Sequence, residues 1–239
     1  MRSQYDLQKS NLEYMAFIDS VRVIGIWDDH DFGTNDGGAQ FEKKQQSRDL
    51  LFDFLKLPSS HPARTRSGAY QSYCFGEKTE KVCLYLLDVR YFKEEYEVDP
   101  SPKQRYMKNN GSLLGEAQWS WLEKELARND AIVNLFAGGI QLLSSEHPYE
   151  KWSNFPNAQQ RFFDLLKLGQ CLRVFSQKDP GKLDPFGSSQ WILLHILSID
   201  QCRDARLLED IQVAQVFTQG RDHYPVGLQL EYELCVGRW

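Results

Sequence analysis

Four short, nearly continuous apolar runs constrain this chain more than any other feature: Val21–Trp27, Val82–Val89, Ala131–Ala137 and Trp191–Leu197. Runs of this length with few polar breaks suit strands that are covered on both faces. Between them lie stretches with helical spacing. Phe41–Leu57 carries Leu50, Leu51, Phe54 and Leu55 on one side and meets Pro58. Glu116–Leu126 sets Trp119, Leu122 and Leu126 along one stripe, with acids at its start that favour the positive end of a helix dipole. Asn157–Leu168 repeats the pattern with Phe162, Leu165 and Leu166, and Gly169 is placed to stop it. Buried strands alternating with amphipathic helices predict a layered α/β fold. Pro58–Ala69 and Glu94–Gly115 read as irregular loops.

Length and charge narrow the function classes. The 239 residues amount to one ample domain, or one domain with an appendage, at about 150 residues per domain. With 28 basic and 33 acidic residues the net charge is −5, so no basic face advertises nucleic-acid binding. The longest nearly apolar stretch, Ala131–Leu143, is too short for a bilayer, which takes about 20 residues. The N-terminus has an arginine but no apolar stretch behind it, so no secretory leader is expected, and the compartment stays open. Five cysteines are scattered without a CxxC pair, a pattern that suggests neither a zinc ribbon nor a disulfide framework.

The chemistry concentrates in Trp27–Gly38, where Asp28, Asp29, Asp31 and Asp36 surround His30 directly after an apolar run. Neighbouring carboxylates repel one another, and a cation or hydrogen bonds must compensate. Such oxygen ligands suit calcium, magnesium or manganese, and an imidazole admits iron or zinc. The plainer alternative is an acidic turn with aspartates capping and glycines supplying positive φ. An EF-hand does not fit: counted from Asp31, Gly33 falls where the third ligand belongs and Asp36 falls on the obligatory glycine. No phosphate-cradling GxxxxGK[ST] loop and no GxSxG elbow occur.

The run Val23–Gly38 resembles the Trp-Asp-Asp-His-Asp/Glu signature of the alkaline phosphatase D (PhoD-like) metallophosphatases. Further family-like blocks follow in order: Leu86–Phe92, Leu114–Trp119 with Trp121-Leu122, Gly139–Gln141 and Glu150–Pro156. The resemblance runs from about Tyr5 to about Leu168. It implies a calcineurin-like α/β/β/α sandwich, here incomplete, that hydrolyses phosphate monoesters or diesters with divalent or trivalent metal ions, typically calcium and iron. A metal-bound hydroxide attacks phosphorus in such sites. Carried onto this chain, Asp29 stands as metal ligand and His30 as the group that protonates or stabilises the leaving oxygen. Asp28 and Asp31 join the metal set as supporting carboxylates that orient the imidazole. Arg90 is placed either to grip phosphate or, with Asp88, to lock a loop. Gln141 and His147 are weaker ligand candidates; His61, His195 and His223 read as structural, and Trp119, Trp121 and Trp152 as packing.

Two departures from the family pattern shape the expectation. The Gly-Asp-Asn-type block that supplies the first ligands has no counterpart ahead of Val21. The closing Ser-Gly-Asp-x-His block is represented only by Ser198-Ile199-Asp200-Gln201-Cys202, in which Asp200 keeps a ligand's place. The chain is therefore expected to comprise a partial phosphatase domain over 1–198 and a divergent tail over 199–239, with a helix at Asp204–Phe217 and marginal stability on its own. Its partner is a phosphate ester. The alternatives are a truncated, catalytically inactive form that binds metal weakly or serves in interactions, and a calcium-binding module without chemistry.

Overall fold

The computed structural model describes residues 1–77, 80–100, 105–131 and 133–168, with the backbone of two further strands, Arg173–Phe175 and Leu193–Leu197. Asp200, the block 198–202, the tail 199–239 with its expected helix, His223, Cys171, Cys202 and Cys235 lie outside the described residues.

Helices α1 (Arg2–Lys9), α2 (Leu12–Ser20) and α4 (Lys44–Phe54) pack the N-terminal part, with the single turn α3 (Asp29–Phe32) between them. The sheet follows with β1 (Gln71–Phe75) and β2 (Val82–Leu86), then α5 (Gly115–Ala127), β3 (Val133–Ala137), α6 (Pro156–Leu168), β4 (Arg173–Phe175) and β5 (Leu193–Leu197). Spatial order is β1-β2-β3-β5-β4. Among the described strands only the β2–β3 pair is parallel, and α5 lies in the long crossover that such a pair requires. The three predicted helices form close to where their spacing placed them.

The two faces of β2 explain its unbroken apolar sequence. Cys83 and Tyr85 point into a core with Phe136, Trp119 and Leu122 of α5, and Phe162 and Leu166 of α6. Val82, Leu84 and Leu86 point the other way, against Val133, Leu135 and Ile24. A strand alternates its side chains between faces, so only one covered on both can be apolar throughout. A third cluster joins Tyr5, Tyr14, Leu51, Phe52 and Phe54 to Trp27, Phe32 and Tyr91, and so seats α1, α2 and α4 beneath the acidic turn.

Two expectations need correction. Val21–Trp27 is not one of the described strands; its backbone is extended but joins no ladder. Ile24 packs on the β2–β3 face and Gln71 of β1 donates from Nε2 to the Gly25 carbonyl at 3.4 Å. The segment thus acts as a cover held by side chains, and its apolarity reflects burial without pairing. The second correction concerns sulfur. Cys74 and Cys83 face each other across the antiparallel β1–β2 pair and are disulfide-bonded, nine positions apart. Strand pairing, invisible in the spacing, brings them together.

This bond closes a short hairpin at the edge of the sheet. A loop with a sequence separation of nine is worth about 2–3 kcal/mol in chain entropy. Replacing both cysteines by alanine is expected to lower unfolding stability in urea by that order, and reductant should lower the parent protein equally while leaving the double variant unchanged. A parent protein whose urea midpoint ignores reductant would show that the bond contributes nothing.

Candidate metal centre

The acidic turn is held from behind by Asp88, at the end of β2. Its buried carboxylate accepts from the Trp27 indole at 2.8 Å and from the backbone N–H groups of Ala69 at 2.7 Å and of Arg90 and Tyr91 at 2.9 Å. Gln118 of α5 completes the knot: its Oε1 accepts from the Asp88 N–H at 2.8 Å and its Nε2 donates to the Asp88 carbonyl at 2.7 Å. One residue, through its carboxylate and its backbone, therefore ties the cover segment, the loop before β1, the end of β2 and helix α5 together.

Arg90 leaves this knot and runs under the turn, wholly buried. Its Nε donates to Asp28 Oδ1 at 2.7 Å, and Nη1 and Nη2 donate to Glu150 Oε1 and Oε2 at 2.6 and 2.7 Å. Burial raises the Glu150 carboxyl, but the charges of Arg90 and Lys93 outweigh it and hold the group below its usual range. At Asp28 burial wins over Arg90, and the carboxyl is pushed up to about 6. The Asp28 carboxylate lies against Gly139, where a Cβ would fall 2.1 Å from its Cγ, so only glycine fits after β3. Asp31 turns back into the helix cap, accepting from the Asp28 N–H at 2.8 Å, and burial pushes its carboxyl up to about 7.

Above Arg90, oxygens of Asp29, Asp36 and Glu150 lie within 4.8 Å of one another. Asp36 reaches this place because its backbone sits at φ 54°, a left-handed conformation that aspartate tolerates. It is further engaged by the Tyr106 hydroxyl, by Arg105 Nη2 at 3.2 Å, and through its carbonyl by Lys93 Nζ at 3.0 Å. Lys93 is buried with its ammonium 3.7 Å from the centre of the Tyr96 ring, and burial brings it down to about 8. The Asp29 and Asp36 carboxyls are both raised, by burial first and then by the Glu150 charge, against the counter-pull of Arg90 on Asp29. Clustered like charges with raised carboxyls are what a bound cation relieves, and an all-carboxylate donor set suits calcium, magnesium, manganese or ferric iron. The residues present fit such an ion. Beside the cluster, the exposed His30 approaches Asp29 Oδ2 with Nδ1 at 3.2 Å.

The model of the PhoD-like phosphatase family matches residues 1–170. The chain belongs to the PhoD-like phosphatases. It is also similar to a solved structure of PhoD, with 20% identity and a TM-score of 0.43, over 60% of this chain and 31% of that one. The chain thus spans about a third of that neighbour's length. Comparison with curated proteins gives no match.

Set against the PhoD-like expectation, Asp29 and His30 are adjacent in space as well as in sequence. Asp28 and Asp31 are not in the carboxylate cluster, because Arg90 and the helix cap occupy them, and it is Asp29, not they, that contacts the imidazole. Arg90 takes the locking alternative, with Asp28 and Glu150 as its ion partners in place of Asp88. Asp36 and Glu150 enter instead. Both stand inside segments quoted from the sequence, Asp36 before Gly37-Gly38 and Glu150 opening its block, but nothing in the spacing links them. Gln141 accepts the Trp152 N–H through its carbonyl, and His147 caps the turn before Glu150, its Nδ1 accepting from Tyr149 N–H at 3.3 Å. His61 likewise caps, accepting from Ala63 N–H at 3.2 Å.

Replacing Arg90 by alanine strands Asp28 and Glu150 as buried, unpaired acids. Loss of one partner from such a pair costs about 3–5 kcal/mol, so R90A is expected to unfold at much lower urea than the parent. Near-parental stability would show that the arginine is dispensable to the fold.

Proposed function

We propose that this chain carries the site of a metal-dependent phosphatase that hydrolyses phosphate esters, on the framework of a calcineurin-like α/β/β/α sandwich. One observation carries the reading: Asp29 belongs to the cation-ready carboxylate cluster and at the same time holds the His30 imidazole by Nδ1. Family membership supports a phosphatase, and calcium and iron are the ions the family resemblance favours.

Asp29, Asp36 and Glu150 are the residues that would hold the ion. When bound, it would neutralise the phosphate oxygens and lower the pKa of a water so that hydroxide is available to attack phosphorus. This chain's residues do the rest. Arg90 fixes Glu150 by two parallel hydrogen bonds, so that carboxylate is set before any ion arrives. Asp29 orients the imidazole so that Nε2, the nitrogen not facing the carboxylate, is the one that meets the ester. As the bond from phosphorus to the ester oxygen breaks, His30 gives its Nε2 proton to that oxygen, releasing an alcohol and phosphate.

The test is turnover of an aryl phosphate and of its bis-ester by the full chain with added calcium, iron or manganese. Activity is expected to vanish with chelator. His30→Ala should lower kcat by about 10²–10⁴-fold with little change in metal affinity. A folded sample that binds metal yet turns over neither ester would overturn the enzymatic reading and favour the non-catalytic one.

A further inference from the structure

Arg90 is committed beneath the carboxylates by all three side-chain nitrogens, so it has no donor left for a phosphate ester arriving from solvent. Lys93 is buried and engaged with the Asp36 carbonyl. Among the described residues, the other arginine paired to the cluster is Arg105, whose Nη2 lies 3.2 Å from Asp36 Oδ2 and whose side chain stays 49% exposed. The geometry points to Arg105 as the residue that binds the substrate's phosphate, and to the neighbouring Tyr149 ring as the platform for an apolar or aromatic ester group. The inference rests on the phosphatase reading of the same site.

The placement is built, not incidental. The Arg105 N–H donates to the Pro148 carbonyl at 2.8 Å, and its own carbonyl accepts from Asp99 N–H at 3.0 Å. The first bond pins Arg105 to the turn that carries Tyr149 and Glu150; the second stands next to the antiparallel Val98–Tyr106 bridge. The guanidinium carbon lies 5.4 Å from the Tyr106 ring centre and 6.0 Å from that of Tyr149. A guanidinium has five donors in a planar fork, so its pairing with Asp36 leaves others for phosphate oxygens. The Tyr149 ring is 55% exposed. An aromatic ring left in water beside a charged site suits an ester whose alcohol carries an aromatic or other apolar body.

Binding can be read without turnover. With manganese as the probe ion, calorimetric titration of the full chain with orthophosphate and with phenylphosphonate should show the aryl ligand binding more tightly. Arg105→Ala is expected to weaken both by about tenfold or more, with Arg105→Lys between, because the fork is lost before the charge. Tyr149→Ala should weaken phenylphosphonate several-fold and leave orthophosphate unchanged, while Tyr149→Phe keeps both. Both residues are well exposed, and an unchanged urea midpoint confirms that the variants fold. Parental affinity in Arg105→Ala, equal effects of Tyr149→Ala on the two ligands, or a parent protein that binds neither anion would overturn the inference. Aryl phosphate turnover in the same samples separates the two levels: Arg105-dependent binding without turnover would refute the catalytic reading and leave this subsite standing.

Discussion

The structure depends on one buried guanidinium. Arg90 is wholly enclosed, and it holds Asp28 on one side and Glu150 on the other. Removing three charges from water is costly, and mutual attraction offsets that cost only when the geometry is good and every donor is used. Here each side-chain nitrogen finds a carboxylate, and Glu150 is met by two parallel bonds, the arrangement that suits arginine and that lysine cannot reproduce. The triad joins three stretches distant in sequence: the turn after the cover segment, the end of β2 and the loop that leads to α6. Asp28 and Glu150 sit 62 and 60 positions from Arg90, so the ion pairs require segments distant in sequence to come together.

Several features that look like site residues serve this triad indirectly. Asp88 spends its carboxylate on one indole and three backbone N–H groups, and Gln118 takes both backbone groups of Asp88, which fixes where Arg90 begins. Asn154 plays a similar part at the far end. Its Nδ2 donates to the Tyr106 carbonyl at 3.0 Å and its Oδ1 accepts from Lys151 N–H at 3.0 Å, which holds the Glu150 turn against the hairpin that carries Arg105. Gly139 leaves the space that the Asp28 carboxylate fills. Rigid support of this kind is what keeps a binding geometry within the fraction of an ångström that chemistry needs.

What could be read from sequence divides along a physical line. Helices α5 and α6 were legible because an amphipathic stripe is a local pattern, and β2 and β3 because burial on both faces leaves a continuous apolar run. Val21–Trp27 shows the limit of that signal: Ile24 and Trp27 are apolar because they are covered, and apolarity alone does not say whether the backbone pairs. Strand β1, with Gln71, Ser72 and Tyr73, carries little alternation and is defined by its pairing to β2 and the Cys74–Cys83 bond. In the site, Asp29 and His30 were legible because the chemistry lies between neighbours. Asp36 and Glu150 were not, since a turn at positive φ and a long-range ion pair bring them together.

The charge balance around the cluster gives the last step. Asp28, Asp29, Asp31, Asp36 and Glu150 face Arg90, Lys93 and Arg105 within one small volume. Burial raises four of these acids, Asp28 to about 6, Asp31 to about 7 and Asp29 and Asp36 in the same direction, because a charge is costly away from water. Arg90 and Lys93 are enclosed and cannot be exchanged, which leaves only the solvent side open for further positive charge. Glu150 is held below its usual range despite its burial, because Arg90 and Lys93 lie beside it. An arginine placed beneath the ligands therefore does two things at once: it makes their burial tolerable and it keeps them available to a cation. An apolar residue at position 90 would remove the first function, and a carboxylate-free pocket the second. The ion pair and the candidate cation site are thus parts of one electrostatic arrangement.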